Sequence, residues 1–383
     1  MKTSVLGYWR KDGTIGVRNH VAVIATVLCS RHVAEEIARQ TGAVAITHER
    51  GCLELGDTKA HTELVLRNAI GHPNIGAALV VGLGCEQVSA RRLAETEAGK
   101  PVRWIDIRAT GGTTKAIAVG IKLARALSKE IEGRARERAG LDELVVATQC
   151  GSSDTAAGIA SNPAVGIVAD WVVHAGGTVI LGETPSLYGA AGVLAERAAT
   201  PDTAARILEI TDNIERYYAR MGRSLREANP TPGNIERGLT TLVEKSLGGI
   251  RKAGTTPIKG VVRPAERVCG KGLWIMDTSL GLGTHVSTDM LCGGAQVMLY
   301  TTGGGNPMGS PLGPVIKIAA TPDTVAAMQD SLDFDASPVI QGTETLAECG
   351  ERLVSCLLDV VNGKPTKAEQ LGSYAFAIGT IAS

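Results

Sequence analysis

The sequence predicts an α/β protein of two Rossmann-like parallel-sheet units, with its active site at the carboxyl ends of the strands. Three observations predict this fold. Short apolar runs rich in Val, Ile and Ala lack the two-residue alternation of half-exposed strands, as strands buried on both faces do. Amphipathic stretches separate those runs, giving a βαβα series that winds into a right-handed parallel sheet. Cys, His, Glu and Asp come directly after the runs, where ligands bind in open parallel sheets.

The chain has 383 residues; at roughly 100–200 residues per domain this predicts two domains, 1–140 and 141–383. In the first, residues 21–27, 43–47, 77–81 and 102–107 read as strands, and 31–40, 58–70, 87–98 and 113–139 as helices. The charged stretch 129–138 reads as a solvated helix end and linker. In the second, strands are expected at 144–148, 178–181, 272–276, 295–300 and 315–318. Asn162-Pro163 looks like a helix start with Pro at the first helical position. Helices are expected around 186–199, 201–220 and 345–362. Asn229-Pro-Thr-Pro-Gly-Asn234 is a loop by its turn chemistry, and Asn234 is expected to cap a helix that runs to Leu247.

Composition excludes several function classes. Hydrophobic residues make up 44% and aromatics 3%, so the core is aliphatic and base-stacking nucleic-acid binding is disfavoured. Basic and acidic residues balance at 39 each, leaving no net field to collect nucleic acid or an anionic membrane. The N-terminus lacks a signal-peptide core and the apolar runs are too short to span a bilayer. The expectation is a cytoplasmic protein whose eight cysteines form no disulfide framework. No Cys-x-x-Cys pair suggests a zinc ribbon.

The chemistry-bearing residues gather just beyond the strands. Cys29, His48 with Cys52, Gly82-Leu-Gly-Cys85-Glu86, Gln149-Cys150-Gly-Ser-Ser-Asp154, Glu183 and Asp277 all occupy strand ends. A single cysteine in an apolar setting is ordinarily a small core residue. Glycine beside Cys52, Cys85 and Cys150 is not something packing requires, so convergence is expected. A lone thiolate nucleophile, a soft metal site and an iron–sulfur cluster all fit such a crevice; several cysteines favour metal. Cys349 and Cys356, seven apart on a helix, read as packing. His32, His61 and His72 read as solvated, and His285 stays open. An anion could sit on Gly111-Gly-Thr113-Thr114-Lys115 at a helix N-terminus. Thr241 and Lys245 lie behind the Asn234 loop, and Lys317 comes after the Gly-rich loop at 301–306. Arg18, beside Asn19, could clamp a carboxylate bidentately or pair with a surface acid.

These motifs, in this order, resemble the altronate/galactarate dehydratase family over nearly the whole chain. The segments are Gly7–Asn19, Gly82–Glu86, Gln149–Asp154, Glu183-Thr-Pro185, Asn229–Asn234, Gly238–Gly248, Gly254-Thr-Thr-Pro257, Met276-Asp-Thr278, Gly293-Gly-Ala295 and Pro314-Val-Ile-Lys317. The resemblance implies dehydration of a sugar acid to a 2-keto-3-deoxy acid, with ferrous iron required, on a two-part α/β core. That core is often preceded by a small β-rich domain. This sequence opens directly at the core, so a separate small β-rich subunit is expected as partner, with homo-oligomerisation. The large subunit of sulfolactate sulfo-lyase is related and has that split arrangement; Cys52 and Cys85 favour dehydration over carbon–sulfur cleavage. The family's His-Gly-x-Gly-Cys loop appears here as His48-Glu-Arg-Gly-Cys52, and an expected Arg is replaced within Gly303-Gly-Gly-Asn306, which points to a different substrate.

Joined to the resemblance, the expectation is that Cys52, Cys85 and Cys150, with His48 as a further candidate, hold iron or a cluster. Arg18, Asn19, Thr113, Thr114, Lys115, Asn234, Thr241, Lys245 and Lys317 would bind the small carboxylate substrate. Glu86, Asp154 or His48 would move protons; His48 cannot be both ligand and base. A noncatalytic scaffold, and a hydrolase with Cys29 as nucleophile, are the competing readings.

Overall fold

The computed structural model describes residues 4–96, 99–278 and 283–380. Three sheets organise it. Strands β1 (Ser4–Trp9), β2 (Ile15–Gly16), β3 (His20–Ala25), β4 (Val44–Ile46), β5 (Ile75–Gly82), β6 (Val102–Asp106) and β7 (Glu137–Gly140) belong to the first part of the chain. Of these, β4-β3-β5-β6 form an all-parallel sheet. In the second part, β8 (Val145–Gly151), β9 (Thr178–Leu181), β10 (Ile258–Val262), β11 (Gly272–Met276), β12 (Val297–Thr302), β13 (Val315–Ala319) and β14 (Phe334–Asp335) form a parallel seven-stranded sheet in the order β10-β11-β9-β8-β12-β13-β14. The continuous apolar runs are central strands: every residue of β5 and β12 is buried, because helices cover both faces of a parallel sheet.

The four-stranded sheet packs one face on helices Arg31–Thr41 and Thr113–Ile131, through Val23, Leu79, Ile37 and Leu127. Its other face shares a core with the second sheet, where Ile24, Val80 and Leu66 join Met290, Met298 and Tyr300. One buried amide joins the two parts. Asn74 Oδ1 accepts from the Val17 and Arg18 amides at 2.8 and 3.2 Å, and its Nδ2 donates to the Gln296 and Leu312 carbonyls at 2.8 and 2.9 Å. His72 adds a bond from Nε2 to the Ala295 carbonyl at 3.0 Å.

The structure corrects several sequence expectations. The helix expected to 139 ends at Ile131, and the charged segment beyond it becomes β7, which pairs antiparallel with β1 from Ser4↔Gly140 to Gly7↔Glu137. With β2 these make a third, three-stranded sheet. Arg136 holds it, donating to the carbonyls of Leu6, Val17 and Val361. The helix expected at 186–199 is two short turns, Thr184–Ser186 and Tyr188–Ala190, then Ala191–Glu196. Asn234 lies inside the short helix Pro232–Glu236, and Thr241 caps Leu242–Ile250 instead. His61 and His72 are buried, not solvated. Among the described residues no helix is long and apolar enough to cross a membrane.

Candidate active site

The end of β8 carries a buried cluster of three ionisable side chains. Cys150 is 3% exposed, Glu183 7% and Lys252 1%, and the three side chains touch. The Cys150 thiol donates to Glu183 Oε2 at 3.2 Å. Lys252 Nζ donates to Cys150 Sγ at 3.1 Å and to the Gly249 carbonyl at 2.9 Å. Each partner is placed by its own local structure. β8 pairs with β9 and β12, which brings Cys150 opposite Thr301. Glu183 has a left-handed backbone, φ 73°, a costly conformation for a residue with a Cβ. Thr278 supports it, its Oγ1 accepting from the Glu183 and Thr184 amides. Lys252 sits in the turn Arg251–Ala253 that ends helix Leu242–Ile250. A Cβ on Gly151 would fall 1.9 Å from Tyr300 Oη, so any larger residue at this strand end would have to displace that buried ring.

Burial dominates the electrostatics. It pushes the Cys150 thiol up, with Glu183 adding to the rise and Lys252 opposing it. It also pushes the Glu183 carboxyl up, against the pull of Lys252 and Lys245. Tyr300 is raised by burial and by these two acids. A buried thiol, carboxylate and ammonium together carry no net charge, which is how three ionisable groups can share an interior.

Beside the cluster lies a cavity of about 260 Å³, lined by Cys150, Ser153, Asp154, Asn162, Lys245 and neighbouring residues. Lys245 Nζ donates to Asn229 Oδ1 and Asn234 Oδ1 at 2.7 and 3.0 Å. Asn234 Nδ2 donates to the Ser153 carbonyl at 2.9 Å. Of the residues expected from sequence, Cys150, Asp154, Lys245 and Asn234 are thus brought together. Asp154 is engaged structurally: it accepts from the Ala157 amide at 2.7 Å and from Thr321 Oγ1. Thr241 is exposed, and its hydroxyl accepts from the Glu244 amide. Sequence reasoning placed Glu183 at a strand end but missed Lys252, 102 residues from Cys150; no spacing or motif signals it.

The other expected residues lie elsewhere. The Arg50 amide donates to His48 Nδ1 at 3.0 Å, so Nε2 carries the proton and donates to the Ala25 carbonyl at 3.0 Å. Burial drops this ring to about 4. With both nitrogens used, His48 serves as a clamp between strand ends, neither ligand nor base here. Glu86 accepts from the amides of Leu83, Gly84 and Cys85 at 3.1, 2.6 and 3.0 Å and from Thr26 Oγ1 at 3.1 Å. It shapes its own loop. Thr113, Thr114 and Lys115 are exposed at the start of their helix.

Arg18 and Asn19 stand at the opposite, amino end of β3. Arg18 makes five bonds: to both Glu369 oxygens and to the carbonyls of Val17, Val360 and Lys364. A guanidinium has five N–H donors, so none remains for a substrate. Asn19 Oδ1 accepts from Arg10. Lys317 is fully buried and donates to the Pro307 and Met308 carbonyls at 3.1 and 3.2 Å, pinning the Gly-rich loop from beneath.

The donor set bears on the expected iron. Cys29, Cys52 and Cys85 are exposed while Cys150 is buried, and Sγ of Cys150 already faces an ammonium, which repels a second cation at close range. Among the described residues no three His, Cys, Asp or Glu side chains group to hold a metal ion. Cys52, Cys85 and Cys150 do not form one ligand set in this arrangement.

Residues 141–383 match the family described as D-galactarate/altronate dehydratase, C-terminal, and residues 7–132 match D-galactarate dehydratase/altronate hydrolase, second domain. The chain is 37% identical over 386 residues to the (2R)-sulfolactate sulfo-lyase subunit beta of Chromohalobacter salexigens, covering 97% of this chain and 96% of that one. It is 31% and 32% identical over 375 residues to the altronate dehydratases of Bacillus subtilis and Escherichia coli, covering 95% of this chain and 75% of each of those.

Proposed function

The chain belongs to the D-galactarate/altronate dehydratase family and is a lyase, and from that premise we propose that it removes water from a small sugar acid or related 2,3-dihydroxy acid, giving a 2-keto-3-deoxy acid. The observation that carries the reading is the buried Cys150–Glu183–Lys252 cluster opening on a cavity of about 260 Å³. That volume suits a small hydroxy acid, being near the low end of ligand pockets. Lys245 lines the cavity and supplies the positive charge a carboxylate needs. The dehydration requires loss of the proton beside the carboxylate and departure of the oxygen on the next carbon, and general acid–base groups contribute roughly 10²- to 10⁴-fold to such steps. We propose ferrous iron as cofactor on family resemblance alone, and a separate small subunit as partner, supported by likeness to a chain named as a subunit.

A second reading is cleavage of a carbon–sulfur bond in a sulfolactate-like acid. It rests on the end-to-end likeness to the sulfo-lyase subunit. Both reactions begin with the same proton removal and differ in the leaving group. The experiment is anaerobic purification, then incubation with a panel of sugar acids and sulfolactate, with and without ferrous ion. Formation of a 2-keto-3-deoxy acid supports dehydration; release of sulfite supports the second reading; neither product under any condition overturns both.

A further inference from the structure

We infer that Cys150 is the catalytic base, that Glu183 is the acceptor for its thiol proton, and that Lys252 holds the resulting thiolate. These roles rest on the cavity being the substrate site, and they specify what each group does there. Cys150 is the one member of the trio that lines the cavity; Glu183 and Lys252 stand behind it. The bonds already run in the required sense, thiol to carboxylate at 3.2 Å and ammonium to sulfur at 3.1 Å. Shifting one proton from Sγ to Glu183 Oε2 leaves a thiolate against an ammonium and a neutral carboxylic acid. The cluster's net charge is unchanged, so the shift costs no new buried charge. Burial raises the Glu183 carboxyl and the Cys150 thiol alike, so what favours the thiolate is the Lys252 ammonium held against the sulfur.

The step balances without a co-reactant. The thiolate takes the proton from the carbon beside the substrate carboxylate and becomes a thiol. The electron pair of that C–H bond forms the carbon–carbon double bond, and the bond from the next carbon to its oxygen breaks with its pair on oxygen. The departing hydroxide is neutralised by the proton that Cys150 took. Water is the by-product, Glu183 returns its proton to the Cys150 thiolate so that the cluster regains its starting state, and the enol becomes the keto acid by moving its hydroxyl proton to carbon. Two alternatives explain the trio less well. A packing cysteine has no use for a buried ammonium and carboxylate at hydrogen-bond distance, and an ion pair for stability alone does not need a thiol between its partners.

Two readouts test this. Alkylation of Cys150 by iodoacetamide, read by peptide mass spectrometry, reports the thiolate directly; turnover and exchange of the substrate α-proton in D₂O report its use. The expectation is that Lys252→Met slows alkylation at Cys150 at least tenfold near neutral pH, that Lys252→Arg recovers part of the rate, and that Glu183→Gln, which removes a negative charge beside the sulfur, changes the rate in the opposite direction. Cys150→Ala should lose kcat by roughly 10²-fold or more and abolish α-proton exchange, with KM little changed. Equal alkylation rates in wild type, Glu183→Gln and Lys252→Met would overturn the cluster assignment. Full turnover by Cys150→Ala would overturn its role as base while leaving the lyase reading intact. If no acid in the panel is consumed yet alkylation still depends on Glu183 and Lys252, the cluster assignment stands and the lyase reading fails.

Discussion

Arg18 and Glu369, 351 positions apart, meet in a two-bonded ion pair, Nε to Oε1 at 2.7 Å and Nη2 to Oε2 at 2.9 Å. Both side chains are about nine-tenths buried. The pair ties the entry to β3 to the C-terminal segment, and it turns an arginine with the appearance of a substrate clamp into a fastener. Breaking a buried pair strands its partner, at a cost of about 3–5 kcal/mol. Arg18→Met should lower the urea midpoint accordingly at pH 7. Glu369 is mostly buried, but its bonds to Arg18 and Thr366 outweigh burial and hold its carboxyl below the ordinary value of 4.5. Its stabilisation is therefore complete above that value and is lost as pH falls further. An unchanged midpoint in Arg18→Met would remove the pair from the account of stability.

Buried His48 and His72 and half-buried His20 set a second pH dependence. Burial drops His20 and His48 to about 4 and His72 to about 3, from 6.5. As pH falls below 6.5 the unfolded chain takes up protons before the folded one, so stability declines down to about pH 4 and, for His72, pH 3. Each pH unit in that window is worth up to about 1.4 kcal/mol per group. Urea titrations at pH 7.5 and 5 should show the loss, and His72→Gln should show less of it, though from a less stable start. The same decline in His72→Gln would contradict the assignment.

Lys245 should govern binding more than chemistry. Lys245→Ala is expected to raise KM roughly tenfold or more, the worth of one charged hydrogen bond, with a smaller change in kcat. A fall in kcat at constant KM would move Lys245 from anchoring to the reacting atoms.

Cys52 and Cys85 are exposed, and exposed substitutions ordinarily shift stability by no more than about 0.5 kcal/mol. The double variant Cys52→Ser/Cys85→Ser should therefore melt like wild type. Iron and acid-labile sulfide analysis of both proteins, purified without oxygen, then decides their chemistry. Iron kept in the double variant frees these thiols from metal binding; iron lost from an intact fold assigns it to them.

The central strands were legible because burial on both faces writes itself as continuous Val, Ile and Ala. β7 was not, because Glu137-Arg-Ala-Gly140 has no apolar signature and exists through its pairing with β1 and the bonds of Arg136. At the site, Cys150, Asp154, Lys245 and Asn234 were legible from strand ends and loop chemistry. The tasks of His48, Glu86 and Arg18 were not, because a sequence does not reveal which polar atoms the backbone has already taken. Lys252 was invisible for the converse reason: its importance lies in a contact with a distant strand.

The double attachment of Asn74, together with the core that the two sheets share, bears on how a substrate gets in. Halves stitched by a buried amide and a common interior do not swing apart like the jaws of a clamp. Substrate therefore reaches the cavity without a separation of the two halves. Turnover should be insensitive to a crosslink between the two sheets.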